Sequence, residues 1–162
     1  MLENKPHGRV TGNSIHDAQN QSTIQADSHT ELALIDPRCL TRLALLHMLT
    51  ALSPRNRRTG DFTILPYSSA NEFLLDSQKR SLRTGMIVFN TGPTCLCEDE
   101  DNICSEIVQL KHELPDTPIT ILSDRDDLCN ILAAFRYGIH GYILSSSDPP
   151  AVIQALRLVI SG

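Results

Sequence analysis

Residues 119–145, ITILSDRDDLCNILAAFRYGIHGYILS, read as a complete strand, helix and strand. Pro118 precedes the apolar run Ile119 to Leu122, and Ser123, Asp124 and Asp126 then offer N-cap oxygens and first-turn negative charge to a helix. Leu128, Ile131, Leu132 and Phe135 fall at i, i+3, i+4 and i+7, one apolar helical face that predicts contact with a core. Gly138 suits a left-handed C-cap, and the apolar run Gly141 to Leu144 ends at Ser145. This is a βαβ unit, and its strands are expected to be parallel.

Working outward, the rest of the chain repeats that pattern. Residues 1–30 are rich in Asn, Gln, Ser, Thr and His without helical or strand periodicity, which predicts a disordered N-terminal tail. The folded domain is expected over residues 31–162. Leu32 to Ile35 is an apolar run closed by Asp36, and Pro37 suits a first helical turn. Leu40, Leu43, Ala44 and His47 share one face of the helix that follows, widened by Leu46 and Leu49. Phe62 to Leu65 is a strand candidate limited by Pro66, and Ser69 with Glu72 has capping-box spacing ahead of Phe73 and Leu74. Met86 to Phe89 is a third strand closed by Asn90. Ile103, Ile107, Leu110 and Leu114 form a helical stripe that stops at Pro115. A last helix starts at Asp148 and its prolines, with Val152, Ala155, Leu156 and Val159 inward and Ala151, Ile153, Leu158 and Ile160 outside that stripe. Five alternations of strand and helix predict an α/β domain with a parallel sheet covered on both faces.

Charge and composition narrow the function. A net charge of −5 argues against nucleic-acid or anionic-membrane binding by this segment, whose one basic knot is Arg55, Arg57 and Arg58. No run approaches the ~20 apolar residues of a membrane span, and no signal-peptide core opens the chain, so the expected compartment is the cytoplasm. The five cysteines are then expected as reduced thiols.

In open parallel sheets, ligands bind beyond the carboxyl ends of the strands, so the closing residues Asp36, Asn90, Ser123 and Ser145 are the candidate site. The surrounding stretches resemble the receiver domain of bacterial two-component response regulators, of the class that joins a receiver to a C-terminal helix-turn-helix (LuxR or NarL type). LALIDPRCLTRLAL resembles that class's first strand and helix; PDTPITILSDRDD and YGIHGYILSSSDP resemble its fourth and fifth strands. The resemblance implies a CheY-like, flavodoxin-like (βα)5 three-layer sandwich with strand order 2-1-3-4-5.

It also implies five functional positions, of which two match. Asp36 matches the first acidic residue and Ser123 the conserved-type hydroxyl, whereas Pro37 stands at the second acid, Asn90 at the phospho-acceptor and Ser145 at the lysine. An Asn amide is not a nucleophile at neutral pH, one carboxylate is a poor magnesium site, and Ser145 cannot offset phosphoryl charge. The expectation is a pseudo-receiver that phosphorylation does not switch, with no metal and no cofactor. Tyr142 matches the family's switch aromatic. The surplus apolar residues of the last helix, Ala151, Ile153, Leu158 and Ile160, suggest an interface to a second copy, a regulatory protein or an attached domain. DNA contact is expected only through a helix-turn-helix domain downstream of Gly162; a stand-alone adaptor is the alternative.

Two further readings use other residues. Cys95 and Cys97, with Cys39, Cys104 and His112 expected nearby, could form a thiol-based redox or metal switch. The acidic run Glu98 to Asp101 could replace missing metal ligands, or simply favour a helix N-terminus. An enzyme is not expected, because Asp36-Pro37-Arg38 offers no phosphate cradle and no nucleophile has a recognisable context.

Overall fold

The structure, a computed structural model, describes residues 30–52, 62–80, 84–97 and 102–162. Of the tail expected over residues 1–30, only Thr30 is described, and it opens the first strand instead; the rest of the tail, the arginine knot and the acidic run Glu98 to Asp101 lie outside the described residues. Strands β1 (Thr30–Ile35), β2 (Phe62–Tyr67), β3 (Thr84–Gly92), β4 (Ile119–Ser123) and β5 (Gly141–Leu144) alternate with helices α1 (Cys39–Leu52), α2 (Ala70–Arg80), α3 (Asn102–Glu113), α4 (Leu128–Arg136) and α5 (Pro149–Ser161). The sheet order is β2-β1-β3-β4-β5 and every pairing is parallel. This is the (βα)5 arrangement expected.

Strand alternation sorts the core into two layers. Leu32 and Leu34 of β1, Met86 and Val88 of β3, and Leu122 of β4 face α1 and α5, where Leu49, Val152, Ile153 and Leu156 cover them. Ala33, Ile35, Ile87, Phe89, Ile119 and Ile121 face the other way, against Phe73 and Leu74 of α2, Ile107 and Leu110 of α3, and Ala133 and Ala134 of α4. Burying one such Leu, Ile or Phe contributes about 1.5–3 kcal/mol, so the two layers hold the sheet from both sides. Pro66 does not end β2; the strand continues through it to Tyr67, paired with Leu34 and Ile35 of β1. That is tolerated because β2 is an edge strand.

Helix phase departs from the sequence reading in three places. On α1, Leu40, Leu43, Ala44 and His47 are exposed, and Leu45, Leu46, Met48 and Leu49 turn inward. Arg42 Nη1 donates to the Asp36 carbonyl in this rotation, which puts the 42, 45, 49 stripe toward the sheet. On α4, Leu128, Leu132 and Phe135 are exposed; the helix rests on Asn130, Ala133 and Ala134. Small side chains allow the close approach, and Asn130 is held there by hydrogen bonds described below. On α5, Ile153 is buried and Ile160 is half-buried against the same core layer, so only Ala151 and Leu158 of the proposed interface set are exposed. Packing against α1 as well as the sheet explains why α5 needs more than one apolar stripe. Gly138 is left-handed, with φ +77°, at the end of α4 as expected.

Candidate functional site

Because the strands are parallel, their carboxyl ends share one edge, and Asp36, Asn90 and Ser123 meet there with almost no solvent exposure. Asn90 Nδ2 donates to Asp36 Oδ2 at 2.6 Å, and Asn90 Oδ1 accepts from the Gly92 amide at 3.1 Å. Asp36 Oδ1 accepts from the Arg38 amide at 2.9 Å and from Arg38 Nε at 3.2 Å. The first of these closes an Asx-type turn across Pro37, whose fixed φ suits the bend into α1. Pro37 and Ser145 themselves are exposed.

Arg38 completes the site from within the chain. Its guanidinium lies over Gly92: a side-chain carbon there would fall 2.6 Å from Arg38 Cζ, and Gly92 has φ +56°. The left-handed backbone favours glycine here, and any side chain would also have to displace the flexible Arg38 guanidinium. A register shift between Asn90 and Gly92 opens this end of β3, letting the Gly92 carbonyl accept from Ser123 Oγ at 3.0 Å and from the Asp124 amide at 2.8 Å. Arg38 Nη1 is also 4.0 Å from Asp124 Oδ2, and Ser145 Oγ donates to the other oxygen of Asp124. Each polar group at this edge thus has a partner inside the protein.

These residues do not fit a magnesium ion. A hard divalent cation wants several anionic oxygens, yet Asp36 is the one buried carboxylate of this edge and both its oxygens accept protein hydrogens. A positive guanidinium stands against it. Among the described residues, no group of three or more His, Cys, Asp and Glu side chains is placed to hold a metal.

Tyr142 belongs to a second network beside the first. Its hydroxyl donates to the Arg125 carbonyl at 2.8 Å and accepts from Asn130 Nδ2 at 2.7 Å. Asn130 Oδ1 accepts from the Leu96 amide at 2.5 Å, and its own amide donates to Asp127 Oδ1 at 2.9 Å. The N-cap of α4 is therefore Asp127, not Ser123, Asp124 or Asp126. The Asn130 amide, and then the Arg125 guanidinium 2.8 Å away, hold the Asp127 carboxyl below the usual range.

The cysteines group only in part as the sequence suggested: Cys104 and His112 line one cleft, and Cys95 stays beside Cys97. Cys39 is exposed at the start of α1, and Cys104 is buried with Sγ 4.0 Å from the Leu96 carbonyl oxygen. Cys97 also lines one cleft with Cys129 of α4. Arg38, Gly92 and Asn130 were not assigned to the site from sequence, and Asp124 was read only as a helix-capping residue. Arg38 carried a usable signal, an Asp-Pro-Arg run able to close an Asx turn; Asn130 had one too, as an amide opposite an apolar stripe.

Solved structures bear on this arrangement. A LuxR-family DNA-binding response regulator from Silicibacter pomeroyi superposes with a TM-score of 0.61 over 82% of this chain and 93% of that one, at 20% identity. A two-component response regulator of the LuxR family from Aurantimonas sp. SI85-9A1 gives 0.62 over 83% and 87%, at 18% identity. A response regulator from Thermotoga maritima gives 0.63 over 83% and 99%, at 17% identity. The chain has the receiver-domain fold. No protein-family model matches the sequence, and no curated protein matches it. The Asp36 edge is where the resemblance read from the sequence expects a phosphorylation pocket. No helix among the described residues is long and apolar enough to cross a membrane.

Proposed function

We propose that this receiver-fold domain is a phosphorylation-independent module of a two-component-type transcriptional regulator, serving signal input, dimerisation or contact with a regulatory protein. One observation carries the reading: Asn90 stands where an aspartyl nucleophile would be needed, donating to Asp36 beneath the Arg38 guanidinium. A neutral amide lacks the anionic oxygen that a carboxylate brings to phosphorus, and among the described residues the Arg38 guanidinium, not a group of carboxylates, stands against Asp36. We assign the domain no catalysis and no cofactor. Ser123 and Tyr142 are retained but bound internally, so any two-state behaviour would be biased by a partner in place of a phosphoryl group.

The likeness to LuxR-family regulators supports placing the domain in the cytoplasm, ahead of a helix-turn-helix domain that would make the DNA contact. Exposed Leu40 and Leu43 on α1, Leu128, Leu132 and Phe135 on α4, and Ala151 and Leu158 on α5 support protein contact as its output.

Incubation with acetyl phosphate and Mg²⁺, followed by intact mass, tests the central claim. The expected spectrum is unchanged; a phosphoryl adduct overturns the proposal. Light scattering after size exclusion tests the homodimer, which a monomer at high concentration would exclude.

A further inference from the structure

The geometry points to a dithiol redox site formed by Cys97, in the connection after β3, and Cys129, in the first turn of α4. These residues are 32 positions apart in sequence, yet a buried hydrogen bond aligns them: the Leu96 amide donates to Asn130 Oδ1 at 2.5 Å. Leu96 is 1% exposed and Asn130 fully buried, so the residues that flank this bond, Cys97 on one side and Cys129 on the other, are held next to each other at the surface. Both line one cleft of about 380 Å³, together with Leu132, Ala133, Arg136 and Tyr137. Hydrogen bonding to Cys129, then burial and the Cys95 thiol, push the Cys97 thiol up to about 12. Packing does not account for Cys129, which is exposed and adds nothing to the core.

The two thiols have different roles. Exposed Cys129 meets the oxidant, and half-buried Cys97, which lines the same cleft, resolves. With hydrogen peroxide as oxidant, the Cys129 sulfur takes one oxygen to become a sulfenic acid and one water leaves. The Cys97 sulfur then attacks the Cys129 sulfur, the S–S bond forms, the S–O bond breaks, and the departing hydroxide takes the Cys97 proton as a second water. Two thiols and one peroxide give one disulfide and two waters. The link would join the β3–α3 connection to α4, beside the Asn130–Tyr142 bond and the exposed apolar face of α4. A thiolate metal site is disfavoured by the absence, among the described residues, of a third suitably placed ligand.

Peroxide titration of the full 162-residue chain, with alkylation and intact mass, reads the site directly. The expected result is loss of two hydrogens and of two alkylatable thiols, reversed by dithiothreitol, with Cys97 and Cys129 joined in the peptide map. Cys95→Ser should behave as the wild type. Cys97→Ser should stop at a Cys129 sulfenic acid that dimedone traps, and Cys129→Ser should neither lose the hydrogens nor take dimedone. No two-hydrogen loss in the wild type, a link through Cys95, or a disulfide persisting in Cys129→Ser would each overturn the assignment. None of these outcomes depends on whether the Asp36 edge accepts phosphate.

Discussion

Around Asp36, polar groups are buried and each is bonded to another part of the chain; on α4, Leu128, Leu132 and Phe135 stand in solvent while an asparagine takes the inward position. The usual sorting of polar and apolar residues is thus reversed in two neighbouring places. At the strand ends the reversal is tolerable because the buried Asp36 and Asn90 bond to each other and the half-buried Arg38 donates to Asp36. On the helix it has no internal compensation, because three large apolar side chains gain nothing from water. The difference teaches where to look for contact with other proteins: the described polar groups at the strand ends partner one another, whereas the large exposed apolar side chains lie on the helices.

The largest effect should come from breaking the closed edge. Asp36→Ala removes the acceptor of Asn90 Nδ2 and of two Arg38 donors, in a position with no solvent access. The expected loss is about 3 kcal/mol in urea unfolding, with little change in m. A loss below about 1 kcal/mol would mean that water already enters and that the edge is not closed.

Asn130→Ala strikes the point where the two regions touch. It leaves the Leu96 amide without its acceptor and the Tyr142 hydroxyl without its donor, at an expected cost of about 2 kcal/mol. Tyr142→Phe should cost about 1 kcal/mol, since it removes the hydroxyl but leaves Asn130 bonded to Leu96. If the two variants were equal, Asn130 would not be the bridge between the β3–α3 connection and β5.

Asn90→Asp sharpens the contrast through pH. It places a second carboxylate where the amide now donates across 2.6 Å, and two adjacent carboxylates raise the pKa of one of them in the folded state. A raised folded pKa means that the native state binds more protons than the unfolded one, so stability falls as pH rises. The variant should lie about 1–2 kcal/mol below wild type at pH 7 and recover most of that as the pH drops toward 4. A deficit that stays constant with pH would show that Arg38 neutralises both carboxylates.

The strand-helix alternation, the parallel sheet and the positions of Asp36, Asn90 and Ser123 were legible in sequence because short apolar runs closed by polar residues have few other readings. Helix rotation was not. Leu128, Leu132 and Phe135 have the spacing of a core stripe, and nothing in periodicity says that Ala133 and Ala134 will make the closer contact. The α1 stripe failed similarly, because which of its apolar residues meet the sheet, and that Arg42 reaches the Asp36 carbonyl, are tertiary contacts. The Cys97–Cys129 proximity was hidden for the same reason: sequence spacing singled out Cys95 with Cys97, whereas the fold brings α4 alongside.

The smallest effect should come from the exposed helix face. Leu132→Ser replaces a side chain that is 54% exposed, so the folded domain loses little packing, and its urea midpoint should move by less than the equivalent of about 0.5 kcal/mol. The same variant should bind less of an apolar surface probe such as ANS, because the stripe from Leu128 to Phe135 is interrupted at its centre. A loss above about 1.5 kcal/mol would place Leu132 in a core contact, and the comparison between the two regions would then fail at its outward half. Unchanged stability with reduced probe binding would instead leave α4 as a surface whose apolar residues serve something outside the domain.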